Sequence, residues 1–412
     1  MSTTTQKASG AELLSQIREA AARIHDSIYY SPCPHSAYLS AASGLQVYLK
    51  LENLQMTGAY KERGALNRIL QLSPEESRRG VIAASAGNHA QAVAYHATRR
   101  GIRSMIVMPV TTPLVKVTAT QGYGAEVVIF GANYDESCQH ALALGAERGM
   151  TFLHAFDDLA GIAGQGTIGL ELLEQCPQIE AVVVPVGGGG LIAGVACAIK
   201  ELRPSVKIVG VQAARLPSML VALAQRAPVT VPAASTVADG IAVRRAGAVT
   251  FPLVAKYVDE IVTVEEEEIA SAILTLLEHE KLLAEGAGAA GVAAMLQRKT
   301  PLNGHHTAVI IGGGNIDVSL LSRIIERGLV KDGRRVRIRI YLPDRPGALA
   351  ELSSVIAGQR ANIVELLFDR AHYGVSLGDT AIDVTLETRG ADHLAQLLAA
   401  ISGAGYKHER IL

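Results

Sequence analysis

The sequence predicts an α/β protein, with parallel sheets covered by helices on both faces, followed by a smaller unit built on a different plan. Three observations predict it. Between about residues 45 and 311, short Val/Ile-rich runs alternate with segments of helical period, as in strands joined by crossover helices. Several of the turns between them are rich in glycine. At Lys331, Asp332, Gly333, Arg334 and Arg335 the chain becomes polar, and beyond it apolar residues recur at every second position, the period of a strand with one wet face.

The elements follow in order. Leu13, Leu14, Ile17, Ala20, Ala21 and Ile24 have helical spacing over 11–25. A strand is predicted at 45–51 and a helix at 60–70, with Leu66, Ile69 and Leu70 on one face. Strand 80–84 leads through Ser85, Ala86, Gly87 and Asn88 into helix 89–99. Strands at 103–108 and 125–130 and a helix over 133–148 continue the pattern. It resumes with helix 166–174, strand 181–186, helix 191–202, strand 206–211, helices 266–280 and 286–297, and strand 308–311. After the polar break, Val336, Ile338, Ile340 and Leu342 alternate with Arg337, Arg339 and Tyr341. A Pro343-Asp344-Arg345-Pro346-Gly347 turn, helix 348–358, strands 363–368 and 381–387, helix 391–402 and strand 407–411 complete a β-α-β-β-α-β order. That order is ferredoxin-like.

Size and composition agree with this division. A chain of 412 residues accommodates two or three domains. A net charge near −1 provides no field toward nucleic acid or a membrane surface. Cys33, Cys138, Cys176 and Cys197 have no paired spacing, so neither a metal knuckle nor a disulfide framework is legible and a reducing cytoplasm is expected. Residues 1–10 are polar, without a signal-peptide core. The apolar stretch 181–199 has the length of a membrane span, but Pro185 and four glycines break it, and a buried strand-turn-helix explains it.

The chemistry starts at Gly187, Gly188, Gly189 and Gly190, between a Val-rich strand and a helix opening at Leu191. Residues without Cβ let backbone N–H groups converge, and the helix start adds unpaired donors, which suits a phosphate-sized anion. No Lys-Ser/Thr pair follows, so this is no nucleoside-triphosphate loop, and the spacing is not that of a dinucleotide fingerprint. A phosphorylated cofactor without magnesium fits; a plain flexible turn is the other reading. Lys61 stands at a turn-to-helix junction, where a lysine is ordinarily a solvated charge. Ser85, Ala86, Gly87, Asn88 and His89 form a second small-residue turn into a helix, suited to a substrate carboxylate. A phosphate cradle, a reactive lysine and a carboxylate turn together point to pyridoxal phosphate held as a Schiff base.

With these motifs in place, residues 10–328 closely resemble the threonine/serine dehydratases of the fold-type II pyridoxal-phosphate enzymes. The ordered signatures are Thr57-Gly58-Ala59-Tyr60-Lys61, Ser85-Ala86-Gly87-Asn88-His89, Ala163-Gly164-Gln165-Gly166-Thr167, Gly187-Gly188-Gly189-Gly190-Leu191, Ala238-Asp239-Gly240, Glu285-Gly286-Ala287-Gly288 and Gly313-Gly314-Asn315-Ile316-Asp317. Asp344-Arg345-Pro346-Gly347-Ala348-Leu349 resembles the start of an ACT regulatory domain. The resemblance implies a tryptophan synthase β-like catalytic domain at 1–330, with a small subdomain inserted at about 52–155, a linker at 331–335 and an ACT domain at 336–412. It implies a cytoplasmic homodimer or homotetramer that converts L-threonine to 2-oxobutanoate and ammonia, and L-serine to pyruvate. It also implies a place in amino-acid metabolism, with isoleucine or valine as effector at the ACT domain.

The same resemblance assigns residues. Lys61 would carry the cofactor, Tyr60 would flank its ring, and Asn88 would bond the ring's 3′ oxygen. Gly187, Gly188, Gly189, Gly190 and Leu191 would hold the phosphate. Ser85, Ala86, Asn88 and His89 would line the carboxylate site. Glu285 would lie near cofactor and substrate, or else serve its helix start as a carboxylate on the macrodipole. There are departures from the family. Tyr60 replaces the usual Phe, and Gly312 replaces the Ser, Thr or Cys opposite the pyridine nitrogen. Ala86 stands where serine racemases have their second-face serine, and Gln212 and Ser218 where they have carboxylates near a divalent metal; no metal is expected. Alternatives are a serine-preferring dehydratase or racemase, a hydroxyaspartate dehydratase using Arg244 or Arg245, and a non-catalytic amino-acid sensor.

Overall fold

The computed structural model describes residues 9–369 and 378–411; most of the polar segment 1–10 lies outside them. The chain divides into a unit at Met1–Ile316 and a unit at Asp317–Leu412.

The first unit contains two sheets. The larger has the strand order His35–Ser36, Gln46–Leu51, His306–Ile311, Ala181–Pro185, Lys207–Ala213, Glu260–Val264. All its pairings are parallel except that of the short edge strand His35–Ser36. Its inner strands are buried on both sides, and Val182, Val183 and Val184 are wholly inaccessible, which explains their unbroken apolar runs. The second sheet is parallel throughout, in the order Glu126–Ile129, Ser104–Met108, Val81–Ala84, Thr151–Phe152. Its strands all fall between the first two long strands of the larger sheet in sequence, so it is an insertion.

Helix Gly10–Ile24 begins with a capping box between Ser9 and Glu12 and buries Leu13, Ile17, Ala20 and Ile24. The segment expected as a helix at 166–174 begins earlier, at Leu159, capped by Asp158. Its glycines are there for packing: a Cβ on Gly164 would come 2.5 Å from the Arg63 carbonyl oxygen, and one on Gly194 would come 2.3 Å from that of Ile162. Glycines therefore seat this helix against both the Lys61 helix and helix Gly190–Leu202. The predicted helix at 266–280 is α-helical over Glu266–Thr275 and then widens to a π-turn over Leu276–Glu280. Strand Glu260–Val264 and the short helices Ala37–Ser43, Leu114–Gly122 and Ser218–Gln225 were not anticipated. Each is too short to establish a period.

The second unit has an antiparallel sheet in the order Asn362–Asp369, Asp379–Glu387, Arg335–Pro343, Lys407–Arg410. Helices Ala348–Gly358 and Ala391–Gly403 pack on the face that presents Val336, Ile338, Ile340 and Leu342. Helix Val318–Lys331 groups with this unit, and Arg335, expected in the linker, already opens the first strand. An ion pair from Arg335 to Glu326 ties helix and strand together.

Candidate active site

Lys61 begins helix Lys61–Ile69, with Tyr60 at the cap position. A buried ionic network fixes that helix. The Arg63 guanidinium grips Glu52 through Nε and Nη2 at 2.8 Å each, reaches Glu171 Oε1 at 2.5 Å, and donates to Thr167 Oγ1 at 3.0 Å. Lys50 Nζ meets Glu171 Oε2 at 2.5 Å. Burial pushes the Glu52 carboxyl upward, but the Arg63 charge outweighs it and holds the acid below its ordinary range. The Lys61 side chain is thereby aimed inward, where Nζ donates to the Ala155 carbonyl oxygen at 2.7 Å. Burial draws its ammonium down to about 8, against the opposing charge of Glu285. Roughly a tenth of the amine is then neutral at pH 7. The same cavity is lined by Tyr60, His154, Phe156, Gln165 and Leu191.

The glycine quartet meets this cavity at Gly190. Helix Gly190–Leu202 follows Gly189, whose φ of 100° requires glycine. A Cβ on Gly188 would lie 2.3 Å from the Phe156 ring, and one on Gly190 would lie 2.7 Å from the Phe156 carbonyl oxygen. The residue next to Lys61's acceptor thus packs directly on the cradle. The Gly188 carbonyl is tied back by Thr250 Oγ1 at 2.6 Å. Among the described residues, the N–H groups of Gly187, Gly188, Gly189, Gly190 and Leu191 donate to no protein acceptor, so they are available to an anion.

The second turn precedes helix Asn88–Arg99. Among the described residues, the N–H groups of Ala86, Asn88 and His89 also lack protein acceptors, and Ser85 Oγ accepts from Gly87 N at 3.2 Å. The His89 imidazole faces the other way. It is buried, Nε2 donates to the Leu153 carbonyl oxygen at 3.1 Å, and burial followed by the Lys61 charge pushes it down to about 3. Its imidazole therefore braces the Leu153-to-Ala155 segment, and only its N–H faces the turn. Asn88 Nδ2 donates to Glu285 Oε1 at 2.7 Å, while Asn88 Oδ1 accepts from Asn315 Nδ2 at 2.8 Å.

Glu285 occupies the cap position of helix Gly286–Leu296 yet makes no capping hydrogen bond with its carboxylate. Burial, then the Asp239 charge, raises it to about 7 against Asn88, Lys116 and Lys61. Gly313 lets the two loops meet, since a Cβ there would be 2.5 Å from Glu285 Oε1. At Gly312 a Cβ would point to the Tyr60 ring, 3.3 Å from Cδ1, and Tyr60 N donates to the Gly312 carbonyl oxygen at 3.0 Å. The bulk lost at Gly312 is thus opposed by an aromatic ring. Gln212 is satisfied at both ends: Oε1 accepts from Met219 and Leu220 N–H, and Nε2 donates to the Val186 carbonyl oxygen. Among the described residues no group of three or more His, Cys, Asp or Glu could hold a metal.

Sequence reasoning gave no role to Ala155, Phe156, Asn315 or Gln165. The first acts through a carbonyl that any residue would supply. Phe156 and Asn315 act on glycines and amides far off in sequence. Asn315 and Gln165 both stood in the quoted signatures, without a role of their own. Gln165 is 5% exposed, and its Oε1 has no protein partner among the described residues. The donor-rich cradle, closed to any side chain, beside an inward-facing and partly deprotonated amine fits pyridoxal phosphate.

Comparison with known proteins agrees. Residues 24–313 match the family described as pyridoxal-phosphate dependent enzyme, and residues 332–404 match the ACT domain. The chain is 48% identical over 394 residues to the L-threonine ammonia-lyase of Thermotoga maritima, covering 96% of this chain and 98% of that one. Among solved structures it is similar to the processed form of threonine deaminase isoform 2 from Solanum lycopersicum, with a TM-score of 0.74, 36% identity, and coverage of 79% of this chain and 96% of that one. It is also similar to maize serine racemase, with a TM-score of 0.73, 34% identity, and coverage of 77% and 98%. Among the described residues no helix is long and apolar enough to cross a membrane.

Proposed function

The chain belongs to the pyridoxal-phosphate dependent enzymes and carries an ACT domain, and from that premise we propose that it is an L-threonine ammonia-lyase forming 2-oxobutanoate and ammonia, with L-serine as a second substrate giving pyruvate. Pyridoxal phosphate is its cofactor. The observation that carries the reading is the Lys61 amine, held inward on the Ala155 carbonyl next to the residue that packs on the glycine cradle.

When bound, the cofactor supplies an electrophilic carbon and a conjugated ring that accepts the electron pair left at Cα. The chain's residues do the rest. The free N–H groups from Gly187 to Leu191 bind the phosphate. Those of Ala86, Asn88 and His89, at a helix start, bind the substrate carboxylate. Lys61 Nζ would hold the cofactor, and its free amine would take up the proton lost from the substrate Cα. Tyr60 and Gly312, which meet each other in the fold, would flank the cofactor ring. Glu285, raised to about 7 and bonded to Asn88, would present a partly protonated carboxyl close enough for its charge to act on Lys61.

Four observations weigh against the alternatives. Ala86 has no proton to offer a second substrate face, and Gln212 is consumed by backbone groups, which disfavours a metal-assisted racemase. Arg244 pairs with Asp135 at 3.3 Å, so it is not a spare cation for a β-carboxylate. The inward, desolvated Lys61 disfavours a non-catalytic sensor. Loss of threonine's β-hydroxyl needs no cation at that position. The ACT unit binds an amino-acid effector, and we assign it isoleucine or valine: its helix Ala348–Gly358 starts at the Gly347 turn, where Leu349 lies against the core. A homodimer or homotetramer in the cytoplasm completes the proposal. A panel of L-threonine, L-serine and 3-hydroxyaspartate, read by 2-oxo acid formation, tests it. Threonine should be turned over most efficiently; preference for either rival would overturn the assignment.

A further inference from the structure

We infer that Lys116 and Asp239 are positioning residues that hold the mouth of this site shut, by an ion pair between the inserted sheet and the turn that covers the cradle and Glu285. The inference rests on the reading of Lys61, Asn88 and Glu285 as the catalytic cleft. Lys116 lies on helix Leu114–Gly122, after strand Ser104–Met108 of the inserted sheet. Asp239 opens the 3₁₀ turn Asp239–Ile241 near the larger sheet. Lys116 Nζ and Asp239 Oδ2 are 2.5 Å apart across 123 positions of sequence.

A second pair crosses the same boundary with opposite polarity: Arg244 Nη1, beyond the turn, meets Asp135 Oδ2 at 3.3 Å, on helix Tyr134–Arg148 of the insertion. Each side therefore carries one cation and one anion. A slid register would bring like charges together, so the two pairs fix alignment as well as closure.

The turn they hold covers the chemistry. A Cβ on Gly187 would lie 3.1 Å from Ile241 Cα and 3.2 Å from Val243 Cγ2, and one on Gly240 would lie 3.1 Å from Glu285 Oε1. From the insertion, Asn88 reaches the same carboxylate. The ion pair thus joins the insertion to the turn that packs on the cradle and on Glu285, and on this inference substrate enters by parting them. The Asp239 and Lys116 side chains are 56% and 20% exposed, so water can take over both charges and the pair can open and re-form. Their charges also act on Glu285 in opposite senses, Asp239 raising its proton affinity and Lys116 lowering it, alongside the Asn88 hydrogen bond and the Lys61 charge.

The test uses the full-length holoenzyme and four variants: Lys116→Ala, Asp239→Ala, the double alanine variant, and the reversed Lys116→Asp/Asp239→Lys. Two quantities are read, hydrogen exchange over residues 236–245 and the separate kcat and KM for L-threonine. Each single variant should speed exchange in that segment and raise KM on the order of two- to fivefold with kcat little changed, the range for a partly exposed pair. The double alanine variant should be no worse than either single one, and the reversed pair should recover. Raising salt from about 0.05 to about 0.5 M should speed exchange in the wild type but not in the double alanine variant. Unchanged exchange in the single variants, or additive losses without recovery or salt response, would overturn the inference. Exchange is read without turnover, so failure of the threonine assignment would be seen separately.

Discussion

The side-chain amide of Asn88 donates a 2.7 Å hydrogen bond to Glu285 Oε1, joining the first residue of a helix on the inserted sheet to the cap residue of a helix packed on the larger one. The carboxyl is diverted from its own helix start and buried where ionisation is disfavoured. This fixes the sign of a pH effect. Its pKa in the fold, about 7, lies above the ordinary 4.5. The contribution of the neutral acid is therefore fully present below the ordinary value and is lost as pH rises through about 7. Glu285→Gln should stabilise the protein relative to wild type by on the order of 2 kcal/mol more at pH 8 than at pH 5. Urea melts at the two pH values, without added cofactor, check this. An equal difference at both would show that the carboxyl titrates normally.

Arg63 anchors the helix that aims Lys61, and it answers Glu52, which is wholly buried. Arg63→Ala should destabilise the protein by about 3–5 kcal/mol, because an uncompensated carboxylate remains inside. Arg63→Lys should recover only part of this, since an ammonium cannot make the paired contacts of the guanidinium. Chemical denaturation measures both. A loss under about 1 kcal/mol for alanine would mean that the network contributes nothing beyond a surface pair.

Much of this site was legible because it is local. The glycine quartet, the Ser85-to-Asn88 turn and the placement of Lys61 at a helix start each depend on a few consecutive residues. Glu285 was legible as a position but not as a partner, since Asn88 lies 197 residues away. His89 was legible as a member of the turn, but the direction of its ring depends on Leu153, brought close by the strand pairing of Val81–Ala84 with Thr151–Phe152. The alternating sheets were readable from buried valines and isoleucines. The early start of helix Leu159–Gln175 was not, because Gly161, Gly164 and Gly166 look like a loop until their close neighbours are known.

Ala86 bears on stereochemistry. With Lys61 supplying a base on one substrate face and no side-chain proton at Ala86, L-serine should eliminate without appreciable conversion to D-serine. Ala86→Ser should increase racemisation relative to elimination. Chiral chromatography of the residual serine distinguishes the outcomes. Fast L-to-D conversion by the wild type would refute the argument from Ala86.

The ACT unit makes a separate prediction. Isoleucine or valine at millimolar concentration should alter the threonine kinetics of the full-length enzyme by a factor of about 5–150, the usual span of an allosteric coupling. Titration calorimetry should register binding of the same amino acid. If neither kinetics nor binding responds to either one, the unit has a purely assembling role.

The most direct test of the central claim is 2-oxobutanoate formation from L-threonine by the wild type and by Lys61→Ala, each supplied with pyridoxal phosphate. The Lys61 amine is held at 2.7 Å on the Ala155 carbonyl beside the glycine cradle, so the wild type should form the 2-oxo acid. The folded alanine variant should lose its turnover by at least about a thousandfold, together with the visible absorption of the lysine-bound cofactor. Substantial 2-oxobutanoate formation by Lys61→Ala, or none by the wild type, would contradict it.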